Sequence, residues 1–332
     1  MIDLTVIIPV YNAGLLIGRC LDSIFTQLGG YEVEVICIDD GSTDNSVEII
    51  EHRKEPNITL LRQPNSGPAA ARNKGIAAAK GRYLALLDAD DYWQPGFIVE
   101  TVSFLDAHPE CIAVSVAQRH ITLSGDHLAP AYISESDHRE EGFVLDDFYT
   151  FWAKYNHVCT GSITIRTQIA QQTGGQREEL RICEDLEFWA YLATFGQLGF
   201  IPKVLFVSDG NKIVSHYGFK KYSLRFKNIQ TFNVWNKRLN SNLSKENREK
   251  IAERLNNVVV GITRALVSAG EFKKARQNLA YYQSTSSTSH YIVRISNKGL
   301  ICWYLYGTIY RIYRYLRVNW PYYKHILTKW KE

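Results

Sequence analysis

Residues 4–87 repeat one pattern, a short apolar run followed by a helical stretch, and that repetition limits the fold more than any other feature. "LTVIIPV" (4–10) is continuously apolar and rich in β-branched side chains rather than alternating. A strand with one wet face alternates, whereas a strand covered on both faces reads this way. "AGLLIGRCLDSIFTQL" then puts Leu16, Cys20, Ile24, Phe25 and Leu28 at helical spacing and closes on Gly29-Gly30. "YEVEVICIDD" is a second strand, and "GSTDNSVEIIEHR" brings turn and cap residues before a second helix, Asp44 and Asn45 reading as helix-start residues. "NITLLRQ" is a third strand, "SGPAAARNKGIAAAKG" an Ala-rich helix with Pro68 near its start, and "RYLALLD" a fourth strand. Units of this length imply an α/β fold, a Rossmann-like, mostly parallel sheet flanked by helices. Ligands of such sheets sit beyond the carboxyl ends of the strands.

The strand ends are therefore where function is read. They are Pro9-Val10-Tyr11-Asn12, Asp39-Asp40-Gly41-Ser42 and Asp88-Ala89-Asp90-Asp91. Five aspartates on one rim repel one another unless a cation sits among them. In extended chain Asp88 and Asp90 point the same way, with Asp91 flanking. A hard divalent ion such as Mn²⁺ or Mg²⁺ takes one or two carboxylates and completes its shell with phosphate and water. The ordinary alternative is an acidic turn capping a helix that starts near Pro95. Asp39 and Asp40 either cap their own turn or accept a hydrogen bond from a base N–H or a ribose hydroxyl. Tyr11 either stacks on a base or is a half-buried loop aromatic. Arg72, on the small-residue helix, contacts a phosphate, orients the acidic cluster, or is an exposed helix arginine. The absence of GxxxxGK[ST], and of GxGxxG after the first strand, weakens P-loop and dinucleotide readings.

From residue 111 the order is less regular. "CIAVSVAQRHITL", "CTGSITIRT" and "GFIPKVLFVSDG" read as strands, and "EDLEFWAYLATFG" as a helix with Glu184 and Asp185 in its first turn. Beyond Lys212 the pattern is helical, near 217–239, 244–269, 271–283 and 290–318, with a domain boundary expected at 210–216. Charge divides along similar lines. Residues 1–211 carry 15 Lys and Arg against 29 Asp and Glu, a net −14, while residues 212–332 carry 23 against 5, a net +18. An acidic chemical domain with a basic extension is expected to meet an anionic partner. The six cysteines lack metal-ligand spacing, which argues against a zinc site or a disulfide framework and fits a reducing cytosol. No signal peptide is read at the N-terminus, and "GLICWYLYGTIY" (299–310) is shorter than the roughly 20 residues that span a bilayer.

Five stretches in the same order and spacing, "VIIPVYN", "IDDGSTD", "NSGPAAARNKG", "LLDADDYW" and "ICEDLEFWAYLATFG", resemble the family-2 inverting glycosyltransferases of the GT-A fold, of the bacterial polysaccharide and glycolipid type. The resemblance covers about residues 3–210. It implies a GT-A catalytic domain at 1–212, with a nucleotide-binding half at about 1–110 and an acceptor-binding half at about 111–212, followed by a basic helical region at 213–332. It further implies that Pro9, Tyr11 and Asp39 or Asp40 hold the uracil of a UDP-sugar and that Arg72 supports that pocket. Asp88 would meet the ribose or the metal, Asp90 would be the principal Mn²⁺ or Mg²⁺ ligand, and Asp185 the catalytic base. Trp93, Glu184 and residues 120–160 would face the acceptor, a glycan or a polyprenyl-diphosphate-linked sugar used in bacterial surface polysaccharide synthesis.

The chemistry is consistent with those roles. Inversion at a sugar C1 needs a base on one side and charge neutralisation of the leaving diphosphate on the other. The helix dipole at a first-turn Asp185 is expected to keep it ionised. Two alternatives stand beside this reading. A polyprenyl-phosphate glycosyltransferase shares the first four motifs, but its phosphate acceptor needs little base assistance, so "CEDLEFW" favours a hydroxyl acceptor. A basic nucleic-acid-binding protein fits the +18 region, but its basic residues are interspersed with apolar ones and no nucleic-acid motif is present, so no nucleic acid is expected.

Within "LICWYLYGTIYRIYRYLRVNW", Ile301, Leu305, Ile309, Ile312 and Leu316 fall in one helical stripe opposite Arg311, Arg314 and Arg317. A basic, aromatic-rich amphipathic helix at about 290–320 suits an anionic membrane interface, giving a cytoplasmic enzyme peripheral on the inner face of the cell membrane. The alternative is that the stripe packs on the acidic domain. Removing the chain from about residue 288 is expected to abolish co-sedimentation with anionic vesicles; a truncated, folded protein that still partitions fully would refute the membrane reading.

Overall fold

The computed structural model describes residues 1–122, 125–129, 141–210 and 228–283. The strands are β1 (Leu4–Val10), β2 (Val33–Asp39), β3 (Ile58–Arg62), β4 (Tyr83–Leu86), β5 (Tyr92–Trp93), β6 (Cys111–Thr122), β7 (Gly125–Ala129), β8 (Phe143–Val144), β9 (Ile163–Arg166) and β10 (Gln197–Asp209). They form one sheet in the order β3-β2-β1-β4-β9-β6-β10-β5, with β7 paired to β6 and β8 to β10. β3, β2, β1 and β4 run parallel. β9 is antiparallel to both β4 and β6, so β6 and its parallel neighbour β10 point the same way as β4. The carboxyl ends of β1, β2, β4, β6 and β10 consequently share one rim. That rim carries Asp39, the chain leading into Asp88, and Asp209. β5 adds antiparallel to β10 at the far edge, a two-residue strand that no periodicity announced.

The buried pattern of β1 explains its continuous apolar run, since every residue but Pro9 is buried. One face receives α1 (Ile17–Phe25) through Ile17, Cys20, Leu21 and Ile24. After α2 (Ser46–Glu51), α3 (Pro68–Ala78) buries Ala69, Ala71, Gly75 and Ile76. Its small side chains let its backbone approach the sheet. A Cβ at Gly75 would lie 2.3 Å from Ile7 Cγ2 and 3.0 Å from Ile38 Cδ1. α4 (Phe97–Ala107), α5 (Phe148–Lys154), α6 (Thr167–Gln172) and α7 (Glu184–Leu192) follow.

Five further helices are α8 (Phe232–Trp235), α9 (Lys237–Asn242), α10 (Lys245–Lys250), α11 (Ala252–Ser268) and α12 (Phe272–Leu279). The single helix expected over 244–269 is thus two, separated at the wholly buried Ile251. The chain divides into two compact units. Of the described residues, one comprises those within 1–178, 184–210 and 242–250, and the other those within 179–183, 228–241 and 251–283. In the second unit the buried Asn278 organises the packing. Its amide donates to Val259 O and Thr263 Oγ1, both at 3.0 Å, and its Oδ1 accepts from Phe232 N at 2.6 Å. Trp235 Nε1 donates to Cys183 O at 2.8 Å. No helix among the described residues is long and apolar enough to cross a membrane. The expected interfacial helix at 290–320 and most of the loop at 124–142 lie outside the described residues.

Gly75→Ala is expected to destabilise the protein by about 1 kcal/mol or more in urea unfolding, because overpacking against Ile7 outweighs the roughly 1 kcal/mol gained in helix propensity.

Candidate active site

β4 is wholly buried and delivers the chain to the rim at Asp88. There Asp88–Asp91 forms a tight turn, closed by Asp91 N donating to Asp88 O at 3.0 Å, before β5 begins. The aspartates therefore converge through a turn and not through the extended alternation expected from sequence. One oxygen from each of Asp88, Asp90 and Asp91 lies within 4.8 Å of the others. Asp88 and Asp90 are half-buried and Asp91 is buried. Burial, then the Asp90 and Asp88 carboxylates, pushes Asp91 up to about 8. Its Oδ1 accepts the Asp209 N–H at 3.2 Å, which opposes that rise. Burial is the larger cause, and the two neighbouring carboxylates that add to it mark a cluster with excess negative charge. A divalent cation fits it, with Asp90 and Asp88 towards the rim and Asp91 behind them.

Arg72, read from sequence as possibly exposed, is only 5% exposed and sits between this turn and α7. Its Nη2 is 2.7 Å from Asp88 Oδ1, its Nη1 3.0 Å from Gln176 Oε1 and 3.6 Å from Glu184 Oε1. Burial works against the guanidinium charge, but Asp88, Glu184 and Asp185 together outweigh it and raise its pKa. Asp185 is half-buried in the first turn of α7. Burial first, and the adjacent Glu184 carboxylate second, push it up to about 6, with Arg72 pulling the other way. Burial and the Glu184 carboxylate therefore oppose the helix dipole that favours the ionised form. The residue before the pair, Cys183, has φ +55°, a left-handed conformation uncommon outside glycine.

The loops after β1 and β2 are laced together. Asn12 (φ +51°) donates its N–H to Ser42 Oγ at 3.0 Å and accepts Thr43 N at 2.7 Å. Ala13 N donates to Ser46 Oγ at 2.7 Å and Gly14 N to Asp44 Oδ2 at 3.0 Å. Asp44 thus braces the first loop as well as starting α2. Both oxygens of Asp40 are committed: Oδ1 accepts Gln63 Nε2 and Ser66 N at 2.8 Å, and Oδ2 accepts Gly67 N at 2.9 Å. Among the described residues, Asp39 accepts only Ser42 N, on Oδ1 at 3.0 Å. Tyr11 is 38% exposed beside it and Pro9 is half-buried.

Residues 5–171 match the description "Glycosyl transferase family 2". The chain belongs to that family. It is 50% identical over 94 residues to the uncharacterized glycosyltransferase YibD of Escherichia coli K12, a stretch covering 28% of this chain and 27% of that protein. It is 26% identical over 243 residues to the hyaluronan synthase of Pasteurella multocida, covering 71% of this chain and 23% of that protein. The chain thus spans about a quarter of the length of these curated relatives. Among solved structures, TarS 1-349 of S. aureus in complex with UDP-GlcNAc superposes with a TM-score of 0.59 at 19% identity, over 98% of this chain and 92% of that one. That likeness shows the GT-A fold.

Within the family's fold, the rim gathers Pro9, Tyr11, Asp39, Asp40, Asp88, Asp90 and Asp91, and Arg72 links them to Glu184 beside Asp185. Trp93 is not among them. It is 2% exposed, stacks on Phe97 at 3.9 Å and donates its indole N–H to Gly161 O at 2.7 Å. The expectation that it faces an acceptor is corrected: β5 pairing turns the ring into the core. Glu184 is also buried against Arg72, so it has no open surface for an acceptor. Sequence reasoning passed over Gln176, Arg19 and Asp209, each a polar residue with no motif around it, whose partners lie far away in the chain.

Asp40→Ala is expected to cost about 2–4 kcal/mol in thermal unfolding, because two backbone N–H groups and an amide lose their acceptor. Asp39→Ala should cost clearly less.

Proposed function

We propose that the protein is a metal-dependent inverting glycosyltransferase that moves a sugar from a UDP-sugar to a hydroxyl of a glycan or lipid-linked saccharide. The observation that carries this reading is the three-aspartate turn, joined through the buried Arg72 to the Glu184–Asp185 pair. The complex of S. aureus TarS with UDP-GlcNAc supports a uridine nucleotide donor, and the likeness to the hyaluronan synthase supports a polysaccharide product.

In this reading Asp39 accepts the imide N–H of uracil with its uncommitted Oδ2, and Tyr11 stacks on the base. Asp40 is a brace, since both its oxygens hold the loop before α3. Asp90 and Asp88 would hold Mn²⁺ or Mg²⁺, which when bound neutralises charge on the departing diphosphate. Asp185 takes the acceptor's hydroxyl proton as the oxygen bonds to sugar C1. The C1–O bond to the diphosphate breaks on the opposite face, and UDP leaves with that electron pair. A carboxylate near pKa 6 is a stronger base than an ordinary aspartate yet still mostly ionised at pH 7. Arg72 balances the charge of Asp88 and Glu184 and spans the distance between them. The basic C-terminal region would bring the enzyme to an anionic membrane that bears a lipid-linked acceptor.

A screen of UDP-sugars with and without Mn²⁺, reading UDP release and transfer to lipid-linked saccharides, tests the reading. No Mn²⁺-stimulated release from any UDP-sugar would overturn it.

Asp185→Asn should lower kcat by about 10²–10⁴-fold with UDP and Mn²⁺ affinities unchanged. The wild-type rate should fall below about pH 6 as Asp185 gains its proton. Because its folded pKa lies above the usual 3.8, the stability it contributes is full below about pH 4 and is lost as pH rises through 6. Asp185→Asn should therefore also melt higher than wild type at pH 7. A near-wild-type rate would refute the base assignment.

A further inference from the structure

We propose that one face of α1 is the template that fixes the cation-binding turn, with Arg19 as its positioning residue. The proposal rests on the metal reading above and extends it to a residue outside the rim motifs. Three carboxylates with atoms within 4.8 Å push the turn open, against which the hydrogen bond from Asp91 N to Asp88 O is a weak restraint.

α1 meets the backbone of this turn at successive points. Cys20 Sγ lies 3.7 Å from Asp88 O, Arg19 Nη2 donates to Asp90 O at 2.7 Å, and Ser23 Oγ accepts Trp93 N at 3.2 Å. Positions 19, 20 and 23 share one helical face, so a rigid element tracks the chain from 88 to 93. Arg19 also lies over the Tyr92 ring, 4.4 Å from its centroid. Its other arm, Nη1, pairs with Asp209 Oδ2 at 2.7 Å, and Asp209 N donates to Asp91 Oδ1 at 3.2 Å. A closed circuit therefore runs from the Asp90 carbonyl through Arg19 and Asp209 to the Asp91 carboxylate. Within it Arg19 does two things. It fixes the direction of the Asp90 peptide, and it neutralises Asp209, a fourth carboxylate beside the turn. The planar fork allows both bonds at once, which a lysine ammonium cannot do at the same spacing.

The test is Mn²⁺ binding to the full chain, with Mn²⁺ alone and with Mn²⁺ plus UDP. The readouts are the electron paramagnetic resonance signal of free Mn²⁺ and calorimetry, with thermal melts to confirm folding. Arg19→Ala is expected to weaken Mn²⁺ binding about tenfold or more, in the range typical of groups that orient metal ligands. Arg19→Lys, which keeps the charge and the pair with Asp209, should weaken it nearly as much. Arg19→Ala combined with Asp209→Asn removes the uncovered charge and should not restore affinity. Lysine at wild-type affinity, or recovery in the double variant, would overturn the positional role in favour of charge balance alone. Wild-type protein that binds Mn²⁺ while Arg19→Ala binds equally well would overturn this proposal only. Wild-type protein that binds no Mn²⁺ with UDP would overturn the metal reading and this proposal together.

Discussion

Arg72 carries a full charge inside the protein, and the carboxylates around it make that burial tenable. An unpaired guanidinium in such a place would cost several kcal/mol, and so would Asp88 or Glu184 without it. The two ends of the site are consequently interdependent. Asp88 belongs to the turn after β4, Glu184 to the first turn of α7, and neither is placed by the other's element. The helix that bears Arg72 is pressed on the sheet by Gly75 and its alanines, which fixes where the guanidinium can lie. A small-residue helix is thus the mechanical link between a polar bridge and a hydrophobic core.

The same balance of charge and burial runs through the rest of the rim. Asp91 and Asp185 are both raised, but their neighbours differ. Asp91 faces two like charges and, among the described residues, no paired cation, an environment that suits a divalent ion. Asp185 has Arg72 nearby as well as Glu184, and settles near 6, where a carboxylate can hold or release a proton at neutral pH. Asp40 shows the third outcome, a carboxylate consumed entirely by hydrogen bonds from the loop before α3. Carboxylates that look alike in sequence end in three different electrostatic states because burial and partners differ.

Much of the fold was legible because parallel strands covered on both faces leave a run such as "LTVIIPV", and the intervening helices leave their own period. The rim followed from the direction rule for such sheets, and with it the place of Asp39, Asp88 and Asp90. Trp93 was misread because nothing local distinguishes a rim aromatic from one turned inward by pairing with a strand more than a hundred residues away. The raised pKa of Asp185 was not legible because the helix dipole is readable from position, whereas desolvation and the reach of Glu184 are not.

The amino-acid sequence alone determined the βα repeat, the strand-end aspartates and the family motifs, since each is a local pattern of side-chain type and spacing. Only the tertiary structure decided that Asp40 is a brace while Asp39 keeps an uncommitted oxygen, that Arg72 is buried between Asp88 and Glu184, and that Arg19 grips the aspartate turn. Those outcomes depend on burial and on partners distant in the chain: 16 residues for Arg72 and Asp88, 71 for Arg19 and the Asp90 carbonyl, 190 for Arg19 and Asp209. A charge's value is set by what surrounds it in space, and sequence order does not record that.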